Sequence, residues 1–198
     1  NGLIFGESSG YSVSINNDGT IVAIGTYKNS EAFTGSGTTR IYEWNGTAWV
    51  LKGSQIDGLT SGERSGYAVS INGTGTIVAI GANSFDGGVG NDSGTTRIYE
   101  WNGSAWALKG SQINGLTTNE YSGMSVSINS TGTIVAIGAF SFDGGVGSKS
   151  GTTRIYEWNG TAWVLKGSQI NGLTTEEQSG RSVSINSDGT SVAIGAYR

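Results

Sequence analysis

The sequence predicts an all-β protein made of β-propeller blades, each four-stranded, antiparallel and about 57 residues long, in three and a half repeats. Three observations lead to this fold class. One segment returns at nearly constant spacing, as GYSVSIN at 10–16, GYAVSIN at 66–72, GMSVSIN at 123–129 and GRSVSIN at 180–186. A repeat of this length is typical of propellers and solenoids. Each repeat contains four strand-like segments separated by glycine-containing turns, and no segment shows the apolar spacing of an amphipathic helix.

The first two strands of each repeat form a predicted hairpin. The first, Tyr11 to Asn16, alternates apolar and polar residues, which is typical of a half-buried strand. The second, Thr20 to Gly25, contains the continuous apolar run IVAI, expected of a strand covered on both faces. The turn between them carries Gly19, which can adopt positive φ.

The third and fourth strands are predicted in the segments TTRIYEW and AWVLKGSQI, joined by an Asn-Gly pair. Asn-Gly between two strands favours a type I′ hairpin, because both residues tolerate left-handed backbone. A two-residue turn at Asn45 and Gly46 would place Tyr42 opposite Trp49. Both faces of the hairpin then carry packing residues, so the sheet must lie between neighbours, as a propeller blade does.

The domain organisation follows from the repeat. The predicted units are 1–65, blade 1 with a leading linker; 66–122, blade 2; 123–179, blade 3; and 180–198, the inner half of blade 4. Tight turns lie on one rim of the predicted ring and long loops on the other. Differences among the copies concentrate in those long loops and at one position of the first strand, which is Tyr11, Tyr67, Met124 or Arg181.

The fourth unit contains only the first two strand segments, so its sheet has an open edge. Open edges pair with other strands, and a blade buries both faces only between two neighbours. We therefore expect self-association or continuation of the same repeat array.

Composition limits the function classes. The 198 residues are 35% hydrophobic and 13% charged, as in folded chains, and the formal charge is −4. Without a basic stripe, neither nucleic acid nor an anionic membrane is an expected partner. No apolar run is long enough to cross a bilayer, so membrane insertion is not expected.

Enzymatic chemistry is not expected either. The chain has no His and no Cys, which removes the commonest general base, the thiol nucleophile and the usual transition-metal ligands. The remaining carboxylates Glu43, Glu100 and Glu157 occur once in each repeat, and a repeated residue is usually structural. We predict no catalytic residue and no cofactor.

The basic residues of the strands also recur, and they are expected to form ion pairs at blade edges or to be solvated, each with little effect on stability. These residues are Arg40, Arg97, Arg154, Lys52, Lys109 and Lys166.

One long loop offers oxygen ligands for a cation, at Asp86, Asn91 and Asp92. The next copy keeps an aspartate but has Ser148 and Lys149 at the other two places. We therefore favour a solvated glycine-rich loop and predict no metal site.

Paired tryptophans on the third and fourth strands allow two interpretations. Exposed indole rings could stack against sugars, or the rings could fill the gaps between blades, which we favour because aromatic residues dominate core burial. The possible glycan-stacking residues are Trp44, Trp49, Trp101, Trp106, Trp158 and Trp163.

Asn-X-Ser/Thr triplets are frequent, and each is a possible N-glycosylation site. Asn-Gly-Thr is also a good hairpin turn, so repetition of one turn would multiply the triplets without any glycan. The six asparagines are Asn45, Asn72, Asn91, Asn102, Asn129 and Asn159.

The segments Ser9-Gly10-Tyr11-Ser12-Val13 and Ala23-Ile24-Gly25-Thr26-Tyr27 resemble the FG-GAP-like propeller repeat of integrin α chains and of secreted or surface proteins. The resemblance extends over every unit, and it implies a propeller in an extracellular or cell-surface protein. The family's calcium loop corresponds here to the short NNDG or NGTG turns, so no calcium site is assigned.

Together these observations predict a non-enzymatic extracellular repeat segment that serves as a structural or adhesive scaffold in a larger or oligomeric assembly. Glycans and surface proteins are further possible partners. The alternative function is a glycan-binding propeller lectin.

Overall fold

The computed structural model describes residues 8–144 and 146–197, and these residues form antiparallel sheets without any helix. Within that part of the chain no helix could therefore cross a membrane. The predicted leading linker lies, over residues 1–7, outside the described residues.

The first blade has five strands: β1 (Ser12–Ile15), β2 (Ile21–Thr26), β3 (Thr38–Trp44), β4 (Trp49–Leu51) and β5 (Ile56–Asp57). The strands lie in the order β1-β2-β3-β4, and the short β5 also pairs with β3. All pairings are antiparallel, which agrees with the hairpins predicted from the turns.

The second blade repeats this arrangement with β6 (Ser65–Ile71), β7 (Ile77–Ala82), β8 (Thr95–Trp101), β9 (Trp106–Leu108) and β10 (Ile113–Asn114).

The partial fourth blade is one antiparallel hairpin. Its strands are β16 (Ser182–Ile185) and β17 (Val192–Gly195).

The third blade again has the same order. Its strands are β11 (Ser125–Ile128), β12 (Ile134–Ala139), β13 (Thr152–Trp158), β14 (Trp163–Leu165) and β15 (Ile170–Asn171). The predicted fold class is confirmed: three four-stranded antiparallel blades, each with one short extra strand, are followed by a partial fourth.

The sequence predicted one continuous fourth strand. The structure instead has two short strands, β4 and β5, with Gly53 in the segment between them. Gly53 has φ of +74°, and a Cβ at this residue would collide with the ring of Trp101. The glycine therefore lets the strand bend under an indole of the next blade.

The predicted register of the second hairpin was wrong by two residues. Trp44 pairs with Trp49, so the turn has four residues instead of two. The side chain of Asn45 accounts for this length, because its Oδ1 accepts hydrogen bonds from the amides of Thr47 and Ala48. A shift of two keeps every side chain on its predicted face. The expected positive φ at the turn glycine is confirmed at 98° for Gly46.

The cores lie between successive blades. Every residue of β7 and of β12 is buried, as predicted for strands covered on both faces. One cluster joins the first two blades and a second cluster joins the second and third. We call these contacts the first and second junctions.

Candidate functional site

Each junction contains a wholly buried ion pair. Glu63, on the segment that links the first two blades, forms two hydrogen bonds with Arg97 of β8, at 2.7 and 3.1 Å. Glu120 and Arg154 repeat the pair at the second junction, at 2.6 and 3.1 Å. The glutamate side chains are 0% exposed. The expectation that these arginines lie at edges or in solvent was therefore wrong, because a residue on the linking segment, not on a strand, provides the carboxylate.

The lysines agree better with the expectation of edge ion pairs. Lys52 forms an ion pair with Glu43 at 3.0 Å, and Lys109 forms one with Glu100 at 2.8 Å. The third blade has the same pair, between Lys166 and Glu157.

Two tryptophan pairs contact the blade that precedes them. The indole N–H of Trp106 donates to the carbonyl of Lys52 at 2.8 Å, and Nζ of Lys52 lies 5.0 Å from the ring centroid of Trp101. Trp163 and Trp158 contact Lys109 in the same way. These are the contacts expected of tryptophans that fill the gaps between blades. Trp44 and Trp49 of the first blade are exposed, so their proposed stacking against sugars stays a prediction.

The possible glycosylation sites divide by exposure. Asn72 and Asn129 are buried, and their Oδ1 atoms accept hydrogen bonds from the turn amides of Thr76 and Thr133. A glycan at either residue would have to displace this turn. The others lie exposed and stay predictions; they are Asn45, Asn91, Asn102 and Asn159.

The aspartates of the long loops hold backbone in place. Oδ1 of Asp86 accepts a hydrogen bond from the amide of Asp92, and Asp143 binds the amide of Lys149 in the next blade. Residues 8–144 and 146–197 contain no group of three acidic side chains arranged to hold a metal ion.

A narrow groove recurs between outer strands. The first, of about 330 Å³, is lined by Gln55, Asp57, Tyr99 and Trp106 among others. The second, of about 510 Å³, has Gln112, Asn114, Tyr156 and Trp163 in the corresponding places. Both grooves combine an aromatic wall with amide or carboxylate groups, which is a suitable lining for a polar ligand.

The long-loop rim of the first junction carries a tyrosine cluster that sequence reasoning did not identify. The ring centroids of Tyr11, Tyr27 and Tyr67 lie 4.5, 4.9 and 5.4 Å apart. The hydroxyl of Tyr11 donates to that of Tyr67 at 2.8 Å. Burial, with this hydrogen bond, raises the pKa of Tyr67 to about 12, so its hydroxyl keeps a proton.

The cluster lines a groove of about 820 Å³ together with Lys28 and Arg64. We call it the tyrosine groove. A sequence signal for it existed, since Tyr11 and Tyr67 occupy the first-strand position at which the copies differ. What the sequence did not show is that Tyr27 meets both of them.

Arg64 has left-handed backbone, with φ of +59°, and the equivalent Tyr121 and Gln178 do too. Residues other than glycine rarely adopt this backbone conformation. Strained backbone of this kind is more frequent at functional sites than elsewhere. The residue changes in every copy although the backbone does not, so the conformation belongs to the repeat and the side chain is free to differ.

No family model matches the chain, and no curated protein sequence matches it. Many solved structures are similar in fold, and two examples follow. The chain is 15% identical to Saccharomyces cerevisiae Sqt1, with a TM-score of 0.52, and the match covers 84% of this chain and 36% of that one. It is 9% identical to a putative 6-phosphogluconolactonase from Bacteroides uniformis, with a TM-score of 0.60, covering 92% of this chain and 46% of that one. The chain thus spans less than half of either structure, and at these identities the likeness concerns the fold alone.

Proposed function

We propose that the chain is a non-enzymatic β-propeller segment of FG-GAP-like type, acting outside the cell or at its surface as a structural or adhesive scaffold in a larger or oligomeric assembly. The observation that carries this proposal is that both junctions repeat the same buried contacts, while half of such a junction lies open on the first blade and the other half on the outer strands of the third.

The open face of the first blade is apolar. Val13 and Ile15 of β1 are 63% and 57% exposed, whereas the equivalent Val69 and Ile71 of β6 are each 6% exposed because the first blade covers them. Burying one such side chain contributes about 1.5–3 kcal/mol, so covering this face favours association.

The open face of the third blade is the complementary half. Ile170 of β15 is 41% exposed, whereas Ile113 of β10 is 8% exposed under the following blade. Glu177 accepts hydrogen bonds from the amides of Leu173 and Thr174, much as Glu120 does from its own loop. The receiving half of the buried ion pair is therefore already formed. Both faces are suited to a blade of the same kind.

The scaffold is proposed to lack enzymatic activity because its sequence has neither His nor Cys. The extracellular and adhesive parts of the proposal are supported by the resemblance of the repeats to the FG-GAP-like family.

Light scattering or native mass spectrometry of the 198-residue chain tests the assembly. We expect oligomers that grow with concentration, and we expect Ile15→Glu to reduce them because it places a charge on the open face. Leu116→Glu is the matched control, since Leu116 is 55% exposed but lies on a loop. A 20.4 kDa monomer at all concentrations, or equal behaviour of the two variants, would contradict the proposal.

A second candidate function is glycan binding, favoured by the recurrence of the groove between outer strands. Binding on a glycan array that is lost when Trp106→Phe and Trp163→Phe are combined, one change in each groove, and kept in Trp49→Phe would support it, because Trp49 belongs to the first blade and lines neither recurring groove. Array signals that both variants keep would speak against it.

A further inference from the structure

Among the described residues, three tyrosine rings meet at the first junction alone, although the blades around them are copies. At the second junction the residues equivalent to Tyr27 and Tyr67 are Asn83 and Met124, and the amide of Asn83 lies 3.6 Å from the sulfur of Met124. The scaffold residues, in contrast, are the same in each blade. A feature that the fold does not need in its second copy is available for binding.

The two cations of the tyrosine groove pair with no carboxylate in the part of the chain that the structure describes. Lys28 and Arg64 are exposed, and neither forms an ion pair with another described residue. Nζ of Lys28 lies 5.4 Å from the ring centroid of Tyr27. Two carboxylates of the neighbouring segments face other cations, since Glu31 lies 3.6 Å from Arg40 and Glu63 lies 2.7 Å from Arg97. The charged residues among those described in the lining of the groove are therefore both cations, although the whole chain carries −4.

The remaining lining is hydroxylated. Ser30, Thr34 and Ser61 complete the wall with backbone of adjacent glycines, and none of the described residues that line the groove has an aliphatic side chain. The two walls are joined by hydrogen bonds, from the Ser61 hydroxyl to the carbonyl of Thr34 at 2.9 Å and from the Arg64 amide to that of Gly35 at 3.3 Å. The site is thus preformed, and its volume lies within the range of small-ligand sites.

We propose that the tyrosine groove binds an anionic sugar, with the sugar ring against Tyr11 and Tyr27 and a sulfate or carboxylate between Lys28 and Arg64. Aromatic faces accept the apolar face of a sugar ring, hydroxyls suit its polar edge, and the unpaired cations attract its charge. An acidic peptide fits less well, because an aliphatic anchor would find no pocket. This inference deepens the adhesive role proposed above by naming a ligand class, and it is tested by binding instead of by assembly.

Calorimetric titration of the chain with a heparin-derived tetrasaccharide tests the proposal, with a polygalacturonate tetrasaccharide to distinguish carboxylate from sulfate. Unsulfated dextran oligosaccharide and poly-glutamate serve as comparisons. We expect at least one of the anionic sugars to bind. Dextran, which has no charge for the cations, and poly-glutamate, which has no sugar ring for the tyrosines, should each bind at least about tenfold more weakly.

Two double variants separate charge from stacking, and both introduce residues that the second junction already contains. Lys28→Ser with Arg64→Tyr removes the cations, and Tyr27→Asn with Tyr67→Met removes two rings without changing the charge. Each should weaken binding of the anionic sugar about tenfold or more, with thermal unfolding nearly unchanged. Lys149→Asp is the control for charge, since it also lowers the net charge by two and gives the residue found at the equivalent Asp92.

Several results would overturn the proposal. The first is that both anionic sugars fail to bind, and the second is that Lys149→Asp weakens binding as much as the cation variant does. The third is that the cation variant weakens binding while the ring variant does not, and the last is that poly-glutamate binds more tightly than the sugars. The last result would identify an acidic peptide as the ligand. None of these readouts depends on oligomer formation, so failure of the assembly proposal and failure of this one are distinguishable.

Discussion

Glu63 and Glu120 are buried carboxylates whose value to the fold lies in their geometry. Each accepts hydrogen bonds from its own loop as well as from an arginine, for example from the amide of Leu59 to Glu63. A buried ion pair is weak evidence for net stability, because desolvation offsets its Coulomb attraction. Removing one partner is nevertheless strongly destabilising, because it leaves the other charge buried without a counter-ion. We infer that these pairs set how a linking segment docks on the next blade.

Glu120→Gln should therefore lower the free energy of unfolding by about 3–5 kcal/mol, because Arg154 would stay buried without a counter-ion. Urea unfolding followed by tryptophan fluorescence measures this change at one protein concentration. Glu100→Gln is the matched control, because it disrupts the exposed pair with Lys109, and it should cost under about 1 kcal/mol. Similar losses in both variants would refute the structural importance of the buried pair.

The hairpins of the blades depend on glycines for two different reasons. Gly103 lies in the turn between β8 and β9 with φ of +100° and open space around its Cα, so it is needed only for backbone conformation. Gly81 of β7 has ordinary φ, but a Cβ there would overlap the carbonyl oxygen of Gly123 in the next blade. The same pattern, a turn glycine and a contact glycine, recurs in each blade.

Gly103→Val should destabilise the protein by roughly 1 kcal/mol or more, through strain alone. Gly81→Ala should cost more than about 3 kcal/mol despite adding a smaller side chain, because two backbones must separate. Thermal or urea unfolding of both variants shows which one loses more stability. A larger loss in Gly103→Val than in Gly81→Ala would contradict the prediction that the close approach of the blades at Gly81 matters most.

The whole molecule is stabilised by contacts between neighbouring blades. β7 in the middle is covered on both faces, whereas β16 and β17 form a two-stranded sheet of exposed and half-buried residues. In arrays of this kind, stability is close to a sum of the repeats and their interfaces. Among residues 8–144 and 146–197, the hairpin of β16 and β17 pairs with no third strand and contacts one neighbouring blade, so it should open most easily.

Hydrogen exchange at low protein concentration should therefore be slowest in β7 and fastest in β16 and β17. Raising the concentration should increase protection at β1, whose Val13 and Ile15 lie on the open face. The measurement is amide exchange followed by mass spectrometry of peptides from each blade. Uniform exchange along the chain would show that the blades unfold as one unit and not by neighbour contacts.

The sequence by itself determined the repeat unit, the all-β class and most strand positions, because these depend on local signals. Alternation in the SVSI segments, the apolar run IVAI and the Asn-Gly pair act over a few residues, and the repeat presents each of them several times. The register of the second hairpin was missed because the Asn45 side chain, which favours the longer turn, competes with the backbone preference of Asn-Gly.

Only the tertiary structure decided which charged residues are buried and where the tyrosine cluster forms. Glu63 and Arg97 are 34 residues apart and Tyr11 and Tyr67 are 56 apart, so each pair meets only when one blade packs on the next. No local pattern distinguishes an arginine that will face a linking segment from one that will face solvent. The physical reason is that strand periodicity specifies the face of a side chain, whereas its partner across a junction depends on the angle and spacing of whole blades.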